Sequence, residues 1–153
     1  MHEVIVIADT SCLIAFSKLE AFELLQKMYG RVVITEEIAQ EFGELIPEWI
    51  IIKQVNEKKY QHLLENTLDI GEASAIALAS EIPDVLLILD DLKARKEAQR
   101  LGFKITGTLG VLFNAKQRGF IPQLKPYIEK LKIEGFRISE KIEEELLIKS
   151  NEN

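Results

Sequence analysis

Val4-Ile5-Val6-Ile7-Ala8-Asp9-Thr10-Ser11 joins an unbroken, mostly β-branched apolar run to an acid and two hydroxyl residues. A stretch apolar at every position, rather than every second one, predicts a strand buried on both faces, as in a parallel sheet. The pattern returns at Val85 to Leu89, followed at once by Asp90-Asp91. Shorter extended segments are expected at Val32 to Ile34, Trp49 to Val55 and Phe103 to Ile105. Helical spacing fills the intervals. One helix is predicted over Leu13 to Tyr29, stopped by Gly30, and another from the N-cap Thr35 to about Leu45, ahead of Pro47. Further helices are expected at Glu57 to Thr67, Ile70 to Ala79, Leu92 to Leu101 and Leu109 to Arg118. The last two run from Gln123 to Ile133, with Pro122 in the first turn, and from Glu140 to Lys149, capped by Ser139. Strands alternating with helices from end to end predict an α/β fold whose mainly parallel sheet is covered on both faces.

The chain has 153 residues, which suits one hydrophobic core. No repeat or linker divides it, and the expected organisation is a single domain over 1–149 with an unstructured tail at 150–153. No apolar run reaches the roughly 18 to 20 residues needed to span a bilayer. Met1-His2-Glu3 lacks a basic leader, and a cytoplasmic protein is the expectation. The single cysteine, Cys12, excludes an internal disulfide and a cysteine-rich zinc site, and its apolar setting reads as buried filler. With 25 acidic and 19 basic residues the net charge is −6, which argues against a general nucleic-acid binder. It leaves room for a site that concentrates carboxylates.

Acids stand where such a site belongs. Asp9 follows the first buried strand and Asp90-Asp91 the fourth, and open parallel sheets bind ligands beyond the carboxyl ends of their strands. On the helix from Thr35, Ile38, Phe42 and Leu45 mark a buried stripe. Stepping about 100° per residue puts Glu41 nearest that stripe, while Glu37 and Glu44 lie further round and Glu36 points away. Asp69 and Glu72 have the spacing of a capping box, a role compatible with aiming the helix start into a site.

Five segments in order resemble one family. Val6-Ile7-Ala8-Asp9-Thr10-Ser11-Cys12-Leu13-Ile14 is similar to the motif (V/I)xDTSxLI, and Leu68 to Ala79 to LDxGEAxAIALA. Leu87 to Arg95 resembles LLIDDxxAR, Thr106 to Leu112 resembles (V/T)GTLGVL, and Gly135-Phe136-Arg137-Ile138-Ser139 resembles a GFRIS tail. This is the pattern of PIN domains, in particular the short prokaryotic branch of VapC-type toxins. The resemblance implies a three-layer α/β/α fold and a metal-dependent ribonuclease. It implies Asp9, Glu41, Glu72 and Asp91 as the catalytic acids, with Asp9, Glu72, Asp91 and the adjoining Asp90 holding Mg²⁺ or Mn²⁺. It also implies single-stranded RNA as substrate, a small antitoxin protein as partner and a homodimer. Relatives often carry one aspartate where this chain has two, which leaves Asp90 and Asp91 both in play.

Thr10, Ser11 and Thr108 suit caps and turns, or the orientation of a water or phosphate. Arg95, with Lys93 and Lys96, is placed to meet the RNA backbone. Close carboxylates repel by roughly 4 kcal/mol per pair at intermediate dielectric. A cluster of them therefore calls for a divalent ion or protonation. Competing readings are a metal-binding or protein-interaction domain without turnover, and a phosphoacceptor domain, which the late acid pair disfavours. A haloacid-dehalogenase-type phosphatase would need an aspartate where Ser11 stands.

Overall fold

The structure, a computed structural model, describes residues 4–152. The leader reading at Met1 to Glu3 and the end of the tail at Asn153 lie outside the described residues. Five strands, β1 (Ile5–Ala8), β2 (Val32–Thr35), β3 (Ile50–Lys53), β4 (Val85–Ile88) and β5 (Lys104–Thr106), form one sheet in the order β3-β2-β1-β4-β5. Every pairing is parallel. Among the described residues nine helices accompany it: α1 (Thr10–Lys18), α2 (Phe22–Tyr29), α3 (Glu36–Phe42), α4 (Lys58–Leu64), α5 (Ile70–Ala79), α6 (Leu92–Arg100), α7 (Thr108–Gln117), α8 (Lys125–Ile133) and α9 (Glu140–Lys149). The arrangement is a three-layer α/β/α fold.

The two unbroken apolar runs are the sheet's centre. β1 and β4 lie side by side in register from Ile5 against Val85 to Ala8 against Ile88. Chain order reverses here: β2 and β3 extend the sheet to one side of β1, β4 and β5 to the other. Helix α5 crosses β1, β2 and β4, and its small residues let it seat closely, with everything from Ala73 to Ala79 buried. Ser74 reaches Thr35 through a hydrogen bond of 2.7 Å inside this core.

Local expectations need correction at five places. The segment Leu13 to Tyr29 is two helices, because Glu20 adopts the left-handed conformation at φ 53°. The Glu20 N–H donates to the Ser17 carbonyl and the Ala21 N–H to the Phe16 carbonyl, a Schellman closure without its usual glycine, so no sequence signal marked it. The helix from Thr35 ends at Phe42, with Gly43 left-handed at φ 68°. Leu45 is therefore outside it and 93% exposed, not part of a buried stripe. Helix α8 starts at Lys125, with Pro126 in its first turn instead of Pro122. The Asp69 side chain makes no capping hydrogen bond, so the capping box is not formed.

The fifth correction concerns the tail. Ser150 is buried, and the Glu152 carboxylate accepts from the Leu124 and Lys125 backbone N–H groups at 2.7 and 2.9 Å and from Lys116 Nζ at 2.9 Å. Glu152 thus supplies the N-terminal acceptor that α8 lacks in its own sequence. No helix among the described residues is long and apolar enough to cross a membrane.

Candidate active site

The carboxyl ends of β1 and β4 open onto a cleft of about 520 Å³ at the reversal point of the sheet. Asp9, Thr10, Ser11, Glu41, Glu72, Asp90 and Asp91 line it, together with Ile14. The chain thus brings acids from four separate segments to one opening.

Asp9 is the most enclosed of them, at 4% exposure. Its position follows from the strand-to-helix switch: the residue after β1 is the N-cap of α1, and Oδ1 accepts from the Cys12 N–H at 2.7 Å. Oδ2 accepts from the Asp90 N–H at 2.9 Å, across the β1–β4 boundary. Burial, then the charges of Asp90 and Glu72, outweigh these two bonds and push the Asp9 carboxyl up to about 7.

Asp90 turns away from that contact. Its Oδ1 accepts from the Thr108 N–H at 2.7 Å and its Oδ2 from the Thr108 hydroxyl at 2.6 Å. Asp91 caps α6, accepting from the Ala94 N–H through Oδ2 at 3.0 Å, and it is the more exposed of the pair. Glu41 projects from α3 and accepts a hydrogen bond from the Thr10 hydroxyl. Glu72, in the first turn of α5, has its carboxyl raised by burial and then by Asp69, Asp91 and Glu41, so its field joins the two halves of the cleft.

The sequence-designated groups that bind no acid-cleft space are also clear. Thr108 holds Asp90 and lines the neighbouring groove, not the acid cleft. Arg95 likewise lines that groove, donating from one terminal nitrogen to the Leu89 carbonyl at 3.0 Å. Lys93 and Lys96 are exposed on α6. Cys12 is fully buried, and burial with the nearby Asp9 and Asp90 charges raises its thiol well above the ordinary range, which removes it as a nucleophile.

Two glycines carry positional roles the sequence reading missed. A Cβ on Gly71 would lie 2.8 Å from Glu41 Oε1, and one on Gly107 would lie 2.7 Å from Arg95 and 3.0 Å from Asp90 Oδ1. The hydrogen at these positions lets α5 and the β5–α7 turn approach the acids. The glycines stand inside the LDIGEA and TGTLG segments, and nothing but those segments pointed to them.

The donor set suits a hard divalent cation, since the cleft's acids offer oxygen only and repulsion among them is already expressed in Asp9 and Glu72. Among the described residues no three such side chains are already gathered as the ligands of one ion. Glu41 and Asp91 are exposed, Glu41 near the end of α3 and Asp91 at the N-cap of α6.

Comparison with curated proteins returns no match to this chain. A family model described as a PIN domain matches residues 5–152, from β1 to the Glu152 staple. PIN domains are usually nucleases and generally use divalent metal ions. With that match across nearly all of its length, the chain belongs to the PIN-domain family.

Proposed function

We propose that this PIN domain is a Mg²⁺- or Mn²⁺-dependent endoribonuclease that hydrolyses phosphodiester bonds of single-stranded RNA at the Asp9–Glu41–Glu72–Asp91 cleft. The observation that carries this reading is the convergence of acids from four chain segments at the sheet's reversal point, where burial and the neighbouring acids push the Asp9 carboxyl up. A cation relieves that loading of like charge. Asp9, Glu72 and Asp91 would hold it, with Asp90 beside them; when bound, such an ion activates water and steadies the leaving oxygen of an in-line displacement.

The protein's own groups set the geometry. Backbone N–H groups of Cys12 and Asp90 hold Asp9 from both sides. The Thr10 hydroxyl orients Glu41, and Thr108 keeps Asp90 in a single position beside the cleft. Ser11, on the cleft wall, would donate to a phosphate oxygen. No side chain here is set up as a covalent nucleophile. The role of toxin, with a small antitoxin and a homodimer, is supported by the likeness of the DTSCLI, LDIGEASAIALA and GTLGVL segments to VapC-type proteins.

The reading is tested with a labelled single-stranded RNA. Cleavage should appear with Mn²⁺, vanish with EDTA, and fall at least a hundredfold in Glu72→Gln, on the order expected when a metal or acid–base carboxylate is lost. Tight binding of a partner by the wild type with no cleavage under Mn²⁺ would instead favour a PIN fold that works without turnover.

A further inference from the structure

A second groove of about 670 Å³ lies against the acid cleft, and Ser11 and Asp90 line both. Its volume falls in the range of small-ligand sites, about 300 to 1,000 Å³. One wall is the start of α6, with β5 and the first turn of α7; the other is the GFRIS segment with α9. The GFRIS segment plays no part in the acid cleft.

Three observations point to what this groove takes. First, its charged lining is inverted relative to the molecule: Arg95 and Arg137 face it against Asp90 alone, in a chain of net charge −6. Asp90 already has both oxygens bonded by Thr108. Second, Arg137 is exposed and has no hydrogen-bond or ion-pair partner among the described residues, so its guanidinium is available. Third, Phe136 beside it is half-buried in the wall, and its N–H donates to the Leu131 carbonyl at 2.9 Å just after the left-handed Gly135 (φ 95°). The aromatic ring is therefore held by a closed helix end rather than a loose tail.

We propose that this groove binds the unpaired nucleotides next to the scissile phosphate, a base lying against Phe136 and a backbone phosphate on Arg137. The inference rests on the ribonuclease reading of the acid cleft, with which the groove is continuous. An aromatic face accepts any unstacked base and a cation takes the phosphate, the combination that recognises single strands. It also bears on the charge problem: an acidic protein that works on RNA needs cations beside its carboxylates, and Arg95 and Arg137, set in an otherwise mostly apolar lining, are the cations of the groove that adjoins them.

The experiment is fluorescence anisotropy of a short labelled single-stranded RNA in EDTA, where no hydrolysis runs, followed by cleavage kinetics in Mn²⁺. Arg137→Ala should weaken binding roughly fivefold or more and reduce the salt slope by about one. Phe136→Leu should weaken binding about as much through lost stacking. Arg118→Ala, an exposed cation outside the groove, should bind as wild type does. In Mn²⁺, Arg137→Ala should raise KM and leave kcat unchanged. The groove assignment is overturned if the wild type binds no RNA in EDTA, or if Arg137→Ala and Phe136→Leu bind like wild type while the wild type cleaves normally. It is equally overturned if an apolar peptide fills the groove and RNA affinity does not change. Groove-dependent binding without any cleavage would remove the nuclease reading, and with it the scissile phosphate, while showing that the groove itself holds single-stranded RNA. Arg137 is exposed, so its variant does not depend on refolding of the core.

Discussion

The Asp9 carboxylate and the Asp90 backbone N–H meet at 2.9 Å across the boundary between β1 and β4. The parallel register pairs Ala8 with Ile88, so Asp9 leaves its strand level with Leu89, and Asp90 follows one residue further on, where its N–H meets the Asp9 carboxylate. One contact thus ties Asp9 to the Asp90-Asp91 segment, and it also brings Asp90's own charge close to Asp9. That charge, added to burial, is what moves the Asp9 carboxyl into the neutral range.

The raised carboxyl has a signed consequence for stability. Its folded value of about 7 exceeds the unfolded 3.8, so the stability linked to Asp9 is full below about pH 4 and is lost as pH rises through about 7. Asp9→Asn removes the charge but sets an amide against the Asp90 N–H, a mismatch that costs about 1–3 kcal/mol. In metal-free protein the variant should therefore melt below wild type at pH 5 and level with it or above it at pH 8. Thermal melts at the two pH values check this; a constant offset would show that Asp9 does not titrate in this range.

Metal binding should couple to folding. An ion that binds the native cleft and not the unfolded chain stabilises by mass action, about 2.7 kcal/mol at a hundred times its Kd. Mn²⁺ should raise the wild-type melting temperature at pH 7.5, with a smaller rise at pH 5.5 where Asp9 holds its proton. Glu72→Gln should show a reduced rise at both values.

Gly71 offers a test of geometry apart from charge. Alanine there favours an exposed helix by up to about 1 kcal/mol, but Gly71 is buried and its Cβ would press on Glu41 Oε1 from 2.8 Å. Since Glu41 is exposed, its carboxylate has room to swing aside from the Thr10 hydroxyl. Gly71→Ala should fold with a stability change within about 1 kcal/mol and lose cleavage activity through the displaced carboxylate. Urea titration and initial rates separate the two effects.

Glu152 tests the far side of the fold. Although burial works to raise its carboxyl, bonds from Lys125 and Leu124 N–H and from Lys116 and Ser150 hold it at about 2. This stability is present above the unfolded 4.5 and lost as pH falls through about 2. Glu152→Gln should lower stability at pH 7 by on the order of 2 kcal/mol, with the gap closing in acid, and leave RNA cleavage unaffected. Denaturant unfolding across pH checks it.

Legibility tracked whether a residue's role was written locally. Asp9 and Asp90-Asp91 stood out because uninterrupted apolar runs mark central parallel strands, whose ends define one edge. Thr35 and Ser139 were readable as N-caps from side-chain chemistry alone. Glu41 reached the cleft although the helix end used to orient it was misplaced by Leu45, since the Ile38–Phe42 spacing carried the geometry. What escaped depended on distant partners: the Thr108 grip on Asp90, the close approach of Gly71 to Glu41, and the Glu152 staple under α8. The break at Glu20 escaped for another reason, because a closure normally announced by glycine is made there by a residue that announces nothing.

The most direct measurement is Mn²⁺-dependent cleavage of single-stranded RNA by purified Asp9→Asn beside wild type, each checked for folding by circular dichroism. The convergence of acids on Asp9 predicts a folded variant whose cleavage is abolished. A folded Asp9→Asn protein that cuts RNA at the wild-type rate would contradict it.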